Sequence, residues 1–102
     1  MTNTVAQLTL QETRLQFGGV VHFDNAQKVC DEGLKLLKTA PKTITIDMSQ
    51  LQSSSSVVVA ILVSWLRVAS QNQQTLLFGN MPEKLRAIIS VSGLTDVLPQ
   101  AI

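Results

Sequence analysis

TITIDMSQLQSSSSVVVAILVSWLR, residues 43–67, decides how this chain folds. Its opening TITID is β-branched and apolar enough to form a strand buried in the middle of a sheet. From Ser56 to Gln71 the apolar residues recur at helical spacing. A polar link and the run Ser53-Ser54-Ser55-Ser56 stand between them. The serines therefore sit at a strand-to-helix junction, where they can be a nucleophile, a phosphate cradle, a phosphorylation switch or a cap.

On either side the pattern repeats. Upstream, Leu8 and Leu10 and then Leu15 and Phe17 alternate with polar residues across Gln11-Glu12-Thr13, which predicts a short hairpin. Val20-Val21, after the bend at Gly18-Gly19, extends its second strand. Ala26, Val29, Cys30, Gly33, Leu34 and Leu37 then recur as one face of a helix, with Asp24 or Asn25 to cap it and Pro41 to end it. Downstream, QTLLFG at 74–79 reads as another inner strand. Asn80 and Glu83 have capping-box spacing around Pro82, opening a helix over 83–92 with Gly93 as its C′ residue. Leu94, Val97 and Leu98 of the closing LTDVLP are placed over the end of the sheet. The order β-β-α-β-α-β-α calls for parallel pairing in the body of the sheet and an α/β architecture.

Composition narrows the function. The chain has 102 residues, enough for one domain with its own core, and is 45% hydrophobic and 15% charged. A net charge of +1 and the absence of tyrosine speak against a nucleic-acid surface. The amino terminus lacks the basic and apolar regions of a signal peptide. Val57 to Val63 is far short of the roughly 20 residues that span a bilayer. One cysteine, Cys30, fits a reducing compartment, so the expected location is the cytoplasm, with any membrane association made through a partner.

Serine catalysis needs a base and a group to orient it. The chain has one histidine, His22, which the sequence pairs with no acid and which reads as an ordinary loop residue. No pair of histidines or cysteines exists to hold a metal, and no cofactor is expected. A phosphate cradle wants glycines where this chain has valines, whose branched side chains resist left-handed dihedrals. The expectation is a protein that is not an enzyme. Capping accounts for one serine at about 1 kcal/mol.

The helix after the serines is more informative. On a wheel of about 100° per residue, Val58, Ile61, Leu62, Trp65, Leu66 and Ala69 form the core stripe. Ser56, Val59, Ala60, Val63 and Arg67 point elsewhere, and three of them are apolar. Either another part of the fold covers that side or it is a docking surface, with Arg67 on its rim. Lys35, Lys38 and Lys42 read as a solvated basic edge, Cys30 as inert packing and Trp65 as interior filling.

IDMSQLQSSSSVVVAILVSWLR and FGNMPEKLRAIISVSGLTDVLP resemble the signature of STAS domains, the fold of anti-sigma-factor antagonists and of sulfate-transporter tails. Asp47-Met48-Ser49 matches the strand end that opens the signature, and the Trp-Leu-Arg at 65–67 is most similar to the STAS subunit of Mla-type phospholipid-transport ABC complexes. The resemblance implies a four-stranded mixed sheet with an N-terminal hairpin and helices packed on it. It also implies a regulatory or assembly subunit that binds the cytoplasmic ATPase through the serine-headed helix, at Ser55, Ser56, Val59, Ala60, Val63 and Arg67. Ser56 falls where antagonists keep their phosphorylated serine or threonine, which makes the alternative a phosphorylation-regulated anti-sigma-factor antagonist. Here Ser55 replaces the preceding aspartate, and Val57 and Val58 replace a small residue and a glycine. Family breadth also raises direct binding of a lipid or nucleotide in a groove.

Overall fold

The computed structural model describes residues 6–93. Within them the chain runs β1 (Gln7–Gln11), β2 (Arg14–Gly18), α1 (Ala26–Lys38), β3 (Thr43–Asp47), α2 (Ser56–Gln71), β4 (Thr75–Gly79) and α3 (Glu83–Val91). One four-stranded sheet has the order β1-β2-β3-β4. The β1–β2 hairpin is antiparallel, with Leu8 opposite Phe17 and Leu10 opposite Leu15. β2 pairs parallel with β3, and β3 with β4, from Thr43 opposite Thr75 to Asp47 opposite Gly79. Parallel neighbours require long crossovers, and α1 and α2 supply them. Both helices therefore begin at the same end of the sheet, where β2 and β3 finish.

Alternation decides what each strand buries. Leu15 and Phe17, Ile44 and Ile46, and Leu76 and Phe78 all enter the core, while Gln16, Thr45 and Leu77 between them remain partly accessible. The helices seal the core from the first side with Val29 and Leu37, with Val58, Ile61, Leu62, Trp65 and Ala69, and with Leu85 and Ile89. Trp65 lies at its centre, edge-on to Phe17 with ring centroids 5.1 Å apart. Its indole N–H donates to the carbonyl of Cys30 at 3.0 Å. Gly33 makes that position accessible, because a Cβ there would overlap the Trp65 ring atoms Cε2 and Cζ2.

Several local expectations are corrected. Val20 and Val21 do not extend β2. Gly19, at φ 86°, turns the chain away after a single parallel bridge to Leu51. β4 has a neighbour on one side only among the described residues, so it is an edge strand; α2 covers its apolar face. Asn80 and Glu83 do not form a capping box. Asn80 is left-handed at φ 53° and gives its amide to Asp47, and Pro82 takes the N-cap position without a side-chain bond. Asn25 holds the N-cap position of α1, but its side chain points backward to the loop. Gly93 is left-handed after Ser92, as a C′ glycine should be. LTDVLP lies outside the described residues.

Candidate functional site: the head of helix α2

The site begins with a carboxylate at the end of β3. Asp47 is buried, accepts the Ser49 N–H at 2.9 Å and the Asn80 Nδ2 at 3.1 Å on Oδ1, and faces Arg14 Nη1 at 3.5 Å from Oδ2. Burial works against its charge. The Ser49 backbone bond, the Asn80 amide, the Ser49 hydroxyl and the Arg14 guanidinium outweigh it and hold the carboxyl below its ordinary range. The result is a rigid corner. Met48 N–H closes it on the carbonyl of Gly79 at 3.0 Å.

From this corner the link is pinned to the loop that leads into α1. Gly19 N–H donates to Gln50 O at 3.0 Å, and Gln52 N–H returns to Gly19 O at 2.8 Å. Ser53 Oγ accepts from Val21 N–H at 2.7 Å and donates to Val21 O at 3.3 Å. One serine of the four is thus a tie between two crossovers. The capping expectation is half met: Ser55 occupies the N-cap position with extended dihedrals (φ −151°, ψ 168°), yet its side chain makes no cap bond. The first turn of α2 therefore keeps its backbone donors without a side-chain partner.

Ser56, Ala60 and Arg67 are exposed and Val63 is half-buried. Positions 56, 60, 63 and 67 follow one another up a single side of the helix. Val59 does not belong with them. It is only 5% exposed, because α2 packs between α1 and α3 and its buried arc is wider than a stripe facing the sheet alone. Leu66 moves the other way and is half-buried rather than sealed. Ser55 is half-buried at the foot of the strip.

Beside the strip, a shallow groove of about 190 Å³ separates α1 from α2. Ala26 and Cys30 line it from one helix and Val57, Ala60, Ile61 and Ser64 from the other. Cys30 is half-buried, packed against the edge of the core at the groove wall. Burial pushes its thiol up, the Ser64 hydrogen bond pulls it down and the Asp31 carboxylate raises it again; the net shift is upward and disfavours the thiolate. His22 is exposed, as are Lys35, Lys38 and Lys42. No cluster of metal-ligating side chains occurs among the described residues. The arrangement offers shape, apolar area and hydroxyl groups. The groove and the Ser53 tie were not read from the sequence, because both depend on how the two crossovers lie beside each other. The mid-helix Gly33 was the available signal that α1 and α2 touch closely.

The family described as Mlab, STAS domain matches residues 4–99. The chain belongs to this family. No curated protein sequence matches it. Among solved structures, the MlaB subunit of the Acinetobacter MlaFEDB complex, in an ATP-bound conformation, superposes with a TM-score of 0.83 at 30% identity over 93% of this chain and 99% of that one. A Thermotoga maritima protein assigned as an anti-sigma factor antagonist gives 0.75 at 14% identity, covering 93% and 84%. Phosphorylated SpoIIAA, a Bacillus cell-fate determinant, gives 0.66 at 15% identity, covering 96% and 92%. The last two likenesses establish the STAS fold alone. That fold is the mixed sheet and hairpin implied by the STAS signature at 46–67.

Proposed function

We propose that this MlaB-type chain is a non-enzymatic regulatory and assembly subunit of a phospholipid-transport ABC transporter that maintains lipid asymmetry. It seats on the ATPase subunit through the outer strip of α2. The observation that carries the reading is the open run Ser56, Ala60, Val63 and Arg67 on the helix that heads the STAS signature. Family membership and the similarity to MlaB of MlaFEDB point to the kind of partner. Ser55 supports the foot of the contact, and Val59 supports it from beneath by fixing the backbone that carries Ala60. No described helix is long and apolar enough to cross a membrane. In this reading the ATPase holds the chain at the cytoplasmic face of the inner membrane, and the chain needs no cofactor.

Co-expression with the transporter's ATPase and permease tests it. Ala60→Glu places a charge in the middle of the contact without entering the core, so the variant folds and the ATPase no longer co-purifies. Normal co-purification of folded Ala60→Glu removes the α2 seat.

A second reading keeps one supporting observation. Ser56 is exposed on the uncapped first turn of α2. Phosphate there would add about −1.5 to −2 charges beside free backbone donors. That geometry suits a phosphorylation-regulated anti-sigma-factor antagonist. Intact-mass measurement of protein from its native cells, beside Ser56→Ala, separates the two readings: an 80 Da addition lost in the variant favours the switch.

A further inference from the structure

Phe23 is 88% exposed, and the short turn that carries it is unusually well fastened. Asn25 Oδ1 accepts the His22 N–H at 2.7 Å, Asn25 N–H returns to His22 O at 3.3 Å, and Asn25 Nδ2 donates to Val20 O at 3.1 Å. One residue earlier, Val21 is tied through both its N–H and its carbonyl to Ser53. The turn is thus locked to the serine link at the head of α2. Three residues beyond Phe23, Ala26 forms a wall of the groove whose opposite wall includes Ala60. The tie of Val21 to Ser53 and the position of Ala26 on the groove wall put the turn that carries Phe23 at the end of the molecule where both crossover helices begin.

Isolated apolar residues on a surface are ordinary. Here the placement is specific. A polar residue would serve the turn equally well, since all of its hydrogen bonds come from the backbone and Asn25. A pre-set turn also spares a binding partner the entropy of ordering it. Aromatic anchors held this way are the side chains that dominate protein contacts.

We infer that Phe23 is a second anchor of the ATPase contact, entering an apolar pocket of that subunit while the groove between α1 and α2 and the outer strip of α2 are covered by the same partner. This inference rests on the docking role proposed for α2 and adds a residue from another element to it. The kind of partner is a folded protein with an apolar recess, because a single ring beside a shallow groove has too little area to hold a membrane.

Equilibrium binding of the full-length chain to the purified ATPase subunit tests it, with wild type, Phe23→Ser, Phe23→Leu and Ala60→Glu side by side. Thermal unfolding serves as the fold control. Phe23→Ser is expected to unfold like wild type and to bind about tenfold to a hundredfold more weakly, with Phe23→Leu recovering most of the loss. If Phe23→Ser binds like wild type while Ala60→Glu does not, the anchor is wrong and the α2 seat stands. If Phe23→Ser weakens binding and Ala60→Glu does not, the anchor stands and the partner sits on the head of α1 instead. If both bind like wild type, the anchor and the seat fall together.

Discussion

The seam between α1 and α2 is closed at one end and open at the other, and small residues produce both results. Toward the carboxyl end of α2, Gly33 removes a side chain where Trp65 must pass, and the indole fills the interior against Phe17 and the Cys30 carbonyl. Toward the amino end, Ala26 and Cys30 face Val57, Ala60 and Ser64, no described aromatic ring enters between the helices, and a groove is left. The small residue is matched by an aromatic ring in the first case and by no ring among the described residues in the second. One end of the seam stabilises the fold, and the other is the groove that the proposed partner would cover.

The largest expected effect lies in the closed half. Gly33→Ala drives a methyl group into the indole, and overpacking of this kind costs about 1–3 kcal/mol or somewhat more when neighbours cannot shift. Chemical denaturation should place it near the top of that range, since Trp65 is fully buried and held by its hydrogen bond. A change under 0.5 kcal/mol would mean that the seam is looser than its geometry implies.

Next comes the corner beneath the open half. Because the carboxyl of Asp47 is held low in the folded state, its contribution is complete above the unfolded carboxylate pKa, near 4. It is lost as pH falls through the lower folded value. The stability difference between wild type and Asp47→Asn should therefore be constant near neutrality and shrink below about pH 4. Arg14 is 63% exposed, so solvent screens its share and the backbone and amide bonds carry most of the effect. A difference that does not change with pH would show that the charge of Asp47 is immaterial.

The smallest effects sharpen the account of the serines. Ser53→Ala removes both bonds to Val21 and should cost about 1 kcal/mol. Ser55→Ala removes no cap bond and should stay within about 0.5 kcal/mol of wild type. Equal losses at the two positions would contradict the division between a tie and an uncapped helix head.

The regular parts of the fold were legible because their patterns are local. Thr43–Asp47 and Ser56–Gln71 appear with the bounds read from β-branching and helical spacing. What was not legible depends on neighbours. Val59 looked exposed on a wheel referred to one packing surface, and the flanking α3 and α1 turned it inward. Asn80 has the spacing of a capping residue, but Asp47, thirty-three residues away in the chain, takes its amide. The serine run marked the junction where β3 hands over to α2. It did not reveal that Ser53 is fastened, Ser55 is uncapped and Ser56 is open, since those differences come from a loop on another crossover.

The most direct measurement is amide hydrogen exchange of this chain, alone and with the ATPase subunit bound. The first turn of α2 has no side-chain cap, so the amides of Ser56, Val57 and Val58 should exchange readily in the free protein. Binding should slow them, together with the helix up to Arg67, and leave the β4 edge at Thr75–Gly79 as it was. A stable complex in which residues 56–67 exchange as before, with protection confined to that edge, would contradict the claim that the open side of α2 is where the partner sits.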